Sequence, residues 1–105
     1  MKKLLFICNQ NQNRSKTAED LFKGKYETKS AGLYNERPVN KNVMDWADVI
    51  VVMDEEQRKE IVKRFPNEVI KKQILSLNIK DEYSYGQENL KKILSSRFNE
   101  VRSII

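Results

Sequence analysis

Cys8-Asn9-Gln10-Asn11-Gln12-Asn13-Arg14-Ser15 is the stretch on which the reading of this chain turns. Before it stands Leu4-Leu5-Phe6-Ile7, an apolar run short enough for a buried strand. After it comes Lys16-Thr17-Ala18-Glu19-Asp20-Leu21-Phe22, which has the spacing of a helix. A strand, a tight polar loop and a helix N-terminus together form an anion site, because backbone N–H groups converge there and the helix dipole favours negative charge. A thiol at the mouth, a guanidinium closing the loop and a hydroxyl after it are the groups that covalent phosphoryl transfer through cysteine requires. Given one cysteine, Arg six residues on followed by Ser or Thr arises by chance roughly 1% of the time, so the spacing alone does not decide. It also fits a buried strand-end thiol beside an ordinary first-turn arginine. The strand before and the helix after supply the context that favours the site.

The chain has 105 residues, enough for a single domain spanning 1–105. No apolar run approaches membrane-spanning length. The apolar segment behind Lys2 and Lys3 is too short for a signal peptide and runs directly into Asn and Gln. One cysteine excludes an internal disulfide framework and a cysteine-based zinc site, and a reducing cytoplasm is the expected location. Histidine is absent, which removes His-based triads, His phosphorelay and His metal ligands together. Any acid or base must be a carboxylate, Cys, Lys or Tyr. The net charge of +5 suits an anionic ligand. Its basic residues are interspersed with acids, as in Lys25-Tyr26-Glu27 and Arg58-Lys59-Glu60, so a solvated surface is expected rather than a nucleic-acid stripe.

Outward from the loop, residues 2–7 read as a first, central strand. Loop 8–14 holds no glycine, and Asn9, Asn11 and Asn13 are the residues able to supply left-handed backbone. A helix is predicted over 15–23, with Ala18, Leu21 and Phe22 inward and Gly24 ending it. Ser15 is placed either to cap that helix or to turn its hydroxyl to the Cys8 sulfur. Residues 26–30 read as a second strand, turned by Ser30-Ala31-Gly32 into a loop over 33–38. Val39, Val43, Met44 and Trp46 suggest a short helix closed by a core tryptophan.

Residues 48–53 form the strongest strand pattern, continuously apolar after Asp48 as a central parallel strand should be. Asp54 reads as an N-cap with Gln57 completing a capping-box-like pattern. The following helix turns Ile61, Val62 and Phe65 inward and stops at Pro66. Residues 74–77 are a fourth strand, and 87–105 a helix burying Leu90, Ile93, Leu94, Phe98, Val101 and Ile105. Alternating strands and helices imply an α/β fold with a parallel sheet. In such sheets ligands sit at the C-terminal strand ends, where loop 8–14 and the loop over 78–86, with Asp81, Glu82, Tyr83 and Tyr85, both open.

Four stretches now carry a resemblance. Leu5-Phe6-Ile7-Cys8 with Asn11 and Arg14-Ser15, then Thr17-Ala18-Glu19, then Ser30-Ala31-Gly32, and then Ala47 through Met53 resemble, in order and spacing, the low-molecular-weight protein-tyrosine-phosphatase family, and its short bacterial branch most of all. The resemblance spans most of the chain. It implies a three-layer αβα sandwich with a four-stranded parallel sheet, phosphotyrosine phosphatase I-like. It implies hydrolysis of phosphotyrosine or aryl phosphate monoesters through a cysteinyl-phosphate, with no cofactor and no metal. Cys8 is the implied nucleophile, Arg14 the phosphate clamp and Asp81 the general acid, since Asp81-Glu82-Tyr83 alone fits the family's late Asp-Pro-Tyr segment. Asn9, Gln10, Asn11, Gln12, Asn13 and Ser15 would bind substrate. Asn11, Ser15 and Ser30 resemble the residues that stiffen the loop. Tyr83, Tyr34 and Leu33 are candidates to flank an aromatic substrate, and equally candidates for plain packing. The expected partners are a phosphotyrosine protein or small aryl phosphate, with phosphate or sulfate in the loop, and neither nucleic acid nor membrane.

The chain departs from the family pattern at three positions and in length. Glu82 stands where Pro is usual and is the alternative to Asp81 as the acid, Lys16 stands where Pro is common, and Asn13 takes the place of a second loop cysteine. The chain is also shorter than typical members. Rival readings follow from the same residues. An arsenate reductase coupled to thioredoxin needs two more cysteines, which are absent. A sugar-transport phosphocarrier typically lacks the arginine. A non-enzymatic phosphate- or phosphoprotein-binding member is the serious rival, although binding alone needs no nucleophile. A basic RNA-binding protein would need exposed aromatics among its lysines.

Overall fold

The two most apolar stretches of the chain become the two central strands. The computed structural model, which describes all 105 residues, places β1 at Lys3–Cys8 and β3 at Val49–Val52 side by side and parallel. β2 (Glu27–Gly32) pairs with the free edge of β1 and β4 (Gln73–Ser76) with that of β3, so the order is β2-β1-β3-β4 and every pairing is parallel. Side chains alternate across the sheet as the strand period demands. Leu4, Phe6 and Cys8 face one way, under α1 (Arg14–Phe22) and α5 (Glu88–Val101). Leu5 and Ile7 face the other, under α2 (Lys41–Trp46) and α3 (Glu55–Arg64). The result is the expected three-layer αβα sandwich.

Each layer buries its own cluster. Phe22 of α1 and Phe98 of α5 meet at 4.5 Å between ring centroids over Phe6 at 5.7 Å from Phe22, with Tyr26 edge-on to Phe98. Full burial of such a side chain contributes about 1.5–3 kcal/mol, so this knot anchors both helices to β1. On the far face Ile50, Val52, Met44 and Ile61 are fully enclosed. The parallel arrangement brings the C-terminal ends of all four strands to one edge. There β1 runs directly through Cys8 into the loop that starts α1.

Several elements differ from the expectations. Ser30-Ala31-Gly32 is the end of β2, not a turn, because Ala31 and Gly32 pair with Ile7 and Cys8 and the sheet extends the strand. Val62 points to solvent at 44% exposure, and Ile61 alone fills the inward position beside partly buried Phe65. Pro66 ends α3 and also begins the short α4 (Pro66–Val69) at its first position, where its missing N–H costs nothing. Trp46 is half-buried, its ring under the Lys29 Nζ at 4.6 Å. Leu21 is likewise only partly covered. The last helix stops at Val101 and finishes in a 3₁₀ turn at Arg102–Ile104. No helix is long and apolar enough to cross a membrane.

Candidate active site

Loop 8–14 bends without glycine because Asn11 takes left-handed backbone at φ 55°. Asn tolerates that region better than other residues bearing a Cβ, so one of the three asparagines does what the sequence asked of them. The bend places the Asn11 carboxamide under the loop, where its Oδ1 accepts from Ser15 Oγ at 2.8 Å. Ser15 Oγ also lies 2.9 Å from Cys8 Sγ. The cap position of α1 is held by Asn13, so Ser15 serves the sulfur and not the helix end. One hydroxyl proton faces two acceptors. While Cys8 is a thiol, its S–H can donate to Ser15 and Ser15 to Asn11; a thiolate requires Ser15 to turn its proton to sulfur.

Arg14 is 2% exposed in the first turn of α1. Its Nη1 donates to the Ile79 carbonyl at 2.7 Å and to Asp54 Oδ2 at 3.5 Å. Its Nε stands 3.7 Å from Asp81 Oδ1 and is buried without a hydrogen-bond partner. A buried cation is costly unless paired. Here two carboxylates that are themselves partly in water, Asp54 and Asp81, leave part of its hydrogen-bonding capacity free. Cys8, Asn9, Gln10, Gln12, Asn13, Arg14 and Asp81 line a cavity of about 50 Å³. A single water needs roughly 10–15 Å³ of such space, so this one has the scale of a small tetrahedral oxyanion. A larger cavity of about 530 Å³ lies at the opposite end of α1, against α5, and is lined by neither Cys8 nor Arg14.

The loop is braced from two sides. The chain leaving β2 donates Leu33 N to the Cys8 carbonyl at 3.0 Å and Tyr34 N to the Asn9 carbonyl at 2.9 Å. This close approach is why Gly32 has no side chain: a Cβ there would stand 2.5 Å from Asn35 Oδ1 and 3.0 Å from the Asn9 carbonyl oxygen. On the other side Asp54 caps α3 by accepting from Gln57 N at 2.9 Å. Gln57 Oε1 accepts from Met53 N at 2.7 Å, one residue beyond the capping-box partner, and its Nε2 donates to Asn9 Oδ1 at 3.1 Å. Gln57 is 1% exposed.

The fold therefore brings together Cys8, Asn9, Gln10, Asn11, Gln12, Asn13, Arg14, Ser15 and Asp81. It does not bring Ser30 to the loop: that hydroxyl donates to Glu19 Oε1 at 2.5 Å and ties β2 to α1. Tyr83 packs half-buried against the α1/α5 cluster. The Tyr34 ring is exposed and stacks on the Arg64 guanidinium at 5.1 Å, and Leu33 is core on the other face. Glu82 is exposed. Sequence reasoning missed Asp54, Gln57 and the Ile79 carbonyl as members of the site. The available signal was positional, because Asp54 and Ile79 follow β3 and β4 at the same sheet edge as Cys8. No group of three or more His, Cys, Asp or Glu side chains is arranged to hold a metal.

No family model matches the chain, and no curated protein matches it in sequence. Solved structures match it over its whole length. A low-molecular-weight protein tyrosine phosphatase from T. tengcongensis superposes with a TM-score of 0.80 at 19% identity, covering 100% of both chains. The YwlE arginine phosphatase from Geobacillus stearothermophilus superposes at 0.67 and 21% identity, covering 99% of this chain and 88% of that one. A cysteine-to-serine mutant of the YwlE arginine phosphatase, with a phosphorylated active-site serine, superposes at 0.71 and 16% identity, covering 95% of each. The chain has the fold of the low-molecular-weight protein tyrosine phosphatases.

Proposed function

We propose that this chain is a cysteine-dependent phosphatase that hydrolyses phosphotyrosine or aryl phosphate monoesters through a cysteinyl-phosphate. One observation carries the reading: the buried Arg14 guanidinium, with its Nε unpartnered, lines the same small cavity as the Cys8 thiol at the N-terminus of α1. Binding an anion accounts for Arg14 and the loop; a covalent step also gives a role to the thiol beside them. The similarity to a phosphatase whose active-site serine, in place of cysteine, is found phosphorylated supports the same assignment.

In this mechanism the Cys8 thiolate attacks phosphorus in line. The S–P bond forms as the P–O bond to the leaving group breaks, and Asp81 gives its proton to the departing oxygen. Arg14 binds two non-bridging oxygens and, with the loop amides, stabilises the charge that develops on them. Water then attacks phosphorus, Asp81 takes its proton, and the S–P bond breaks to release phosphate. Ser15 donates to the sulfur at both stages, as ionised nucleophile and as leaving group. Asn9, Gln10, Gln12 and Asn13 form the rim that meets the substrate. A nucleophile that must remain a thiolate fits a reducing compartment, the cytoplasm.

A second substrate reading, phosphoarginine, is favoured by the rim itself. Its side chains are amides and a carboxylate, with no aromatic wall, since Tyr34 and Tyr83 are engaged elsewhere. Turnover of para-nitrophenyl phosphate without added metal, compared between wild type, Cys8→Ser and Asp81→Asn, tests the mechanism. Loss with Cys8→Ser and a strong fall with Asp81→Asn are expected; turnover that survives Cys8→Ser overturns it. No turnover, with saturable phosphate binding removed by Arg14→Ala, would leave a phosphate-binding protein. The ratio of kcat/KM on phosphotyrosine and phosphoarginine then decides between the two substrates.

A further inference from the structure

Asp81 lies on a loop that has little structure of its own. Between Ile79, which is enclosed and bonded to Met53 and Arg14, and α5, the chain carries Asp81 at 57% exposure and Glu82, also exposed. Glu82 leaves φ free where a proline would fix it. Yet the far end of this loop is tied to α1 by three separate contacts. Tyr85 N donates to Asn13 Oδ1 at 3.1 Å. Gly86 N donates to Thr17 Oγ1 at 2.9 Å. The Tyr85 hydroxyl donates to Asp20 Oδ2.

Asn13, Thr17 and Asp20 follow one another at intervals of four and three, so they form one stripe along the side of α1. That helix also carries Arg14 and Ser15. Thr17 is enclosed, so its hydroxyl is committed to the strap. Gly86 has φ of +70°, a conformation that lets its N–H turn back to the helix, and Gln87 closes the turn by accepting from Ser84 N at 3.0 Å. None of these residues lines the cavity of Cys8 and Asp81 except Asn13.

We propose that Tyr85, Thr17 and Asp20 are positioning residues that aim Asp81 at the leaving group, a strap from α1 doing what a rigid residue at position 82 would do from within the loop. The proposal rests on the phosphatase reading above, with Asp81 as acid. Its consequence is specific. Loosening the strap misplaces the proton donor and leaves the nucleophile and the phosphate clamp where they are. Misplacement of about 1 Å costs up to about 100-fold in a step that depends on orientation, but only when the step needs the proton.

The experiment is a leaving-group comparison. Tyr85→Phe and Thr17→Val are assayed on phenyl phosphate, whose leaving group needs protonation, and on 2,4-dinitrophenyl phosphate, whose leaving group does not. We expect kcat/KM, which reports formation of the cysteinyl-phosphate and not its later hydrolysis with Asp81 as base, to fall about tenfold on phenyl phosphate and to change less than about twofold on the dinitrophenyl ester. Thr17→Ser, which keeps the acceptor, should restore the phenyl phosphate rate. Tyr85→Phe removes one hydroxyl from an exposed side chain, so it serves even if Thr17→Val does not fold. Equal losses on both esters, or no loss on either, overturn the strap. Asp81→Asn is the control that separates the two levels. If it discriminates between the esters and the strap variants do not, the strap alone falls. If it does not discriminate, or the wild type has no turnover, the acid assignment falls and the strap with it.

Discussion

Loop 8–14 is held from beneath by the sheet, whereas loop 78–86 is hung from the side of α1. The first is bonded through its own backbone to the chain leaving β2, through Asn9 to buried Gln57, and through Ser15 and Asn11 to the sulfur it presents. The second makes side-chain contacts at its ends and leaves Asp81 and Glu82 in water between them. The difference matches what each half has to do. A nucleophile and an oxyanion clamp must be preorganised before substrate arrives, since their value lies in not reorganising during the reaction. A general acid must reach first the departing oxygen and then the attacking water, both on the solvent side of the cavity, which a carboxylate on an exposed loop can do.

Substitutions in the first loop should therefore be severe and indifferent to the leaving group. Cys8→Ser is the largest: turnover should fall at least about 10⁴-fold, because the alcohol is a far weaker nucleophile at neutral pH. Thermal unfolding should barely move, since a hydroxyl still meets Ser15. Single-turnover assays with an aryl phosphate check it, and activity within an order of magnitude of wild type would place the chemistry elsewhere.

Arg14→Lys comes next. Lysine keeps the charge but loses the planar fork that can meet Ile79, Asp54 and an anion at once. We expect kcat/KM to drop about 10²–10³-fold on phenyl and dinitrophenyl phosphates alike. A loss confined to the phenyl ester would mean that Arg14 works through Asp81 and not on phosphate. Inhibition by inorganic phosphate should weaken in parallel.

Gln57→Leu probes the brace itself. The substitution leaves Met53 N–H and Asn9 Oδ1 without the partners they have now, one of them in the core. Leaving a buried polar group unmade costs about 1–3 kcal/mol, which denaturant unfolding can read. Activity should fall by less than with Arg14→Lys, because the Leu33 and Tyr34 bonds still hold the loop. Unchanged stability would mean that water replaces Gln57 and that the brace is not structural.

How much of this was legible follows the same division. β1 and β3 announce themselves as apolar runs, and Cys8, Arg14 and the bend at Asn11 lie within one short stretch, so local pattern suffices. β2 reads as Glu27-Thr28-Lys29-Ser30, a poor strand by composition; pairing with β1 makes it one and carries it through Gly32. The partners that finish the site lie far along the chain, Asp54 at 40 residues from Arg14, Gln57 at 48 from Asn9 and Ile79 at 65 from Arg14. Only topology brings them together. The sequence leaves Tyr83 equally a candidate to flank substrate and to pack, and the structure packs it against the α1/α5 cluster.

The strap offers the smallest and most local prediction. The bond to Asp20, and then the Asp20 charge, raise the Tyr85 phenol above the ordinary tyrosine pKa, with lesser contributions from desolvation and Glu19. The bond exists only while the phenol keeps its proton. Its contribution to the folded state is therefore fully present below about pH 10, the unfolded tyrosine value, and is lost as pH rises through the raised value. Because both groups are largely exposed, water screens the pair, and the global stability change should be slight. Ultraviolet titration should show one tyrosine ionising later than in Asp20→Asn, and Tyr85→Phe should remove that late step alone. If Asp20→Asn leaves the titration unchanged, the hydroxyl is not held by Asp20 in solution, and the far end of loop 78–86 hangs from α1 by the Tyr85 and Gly86 N–H bonds only.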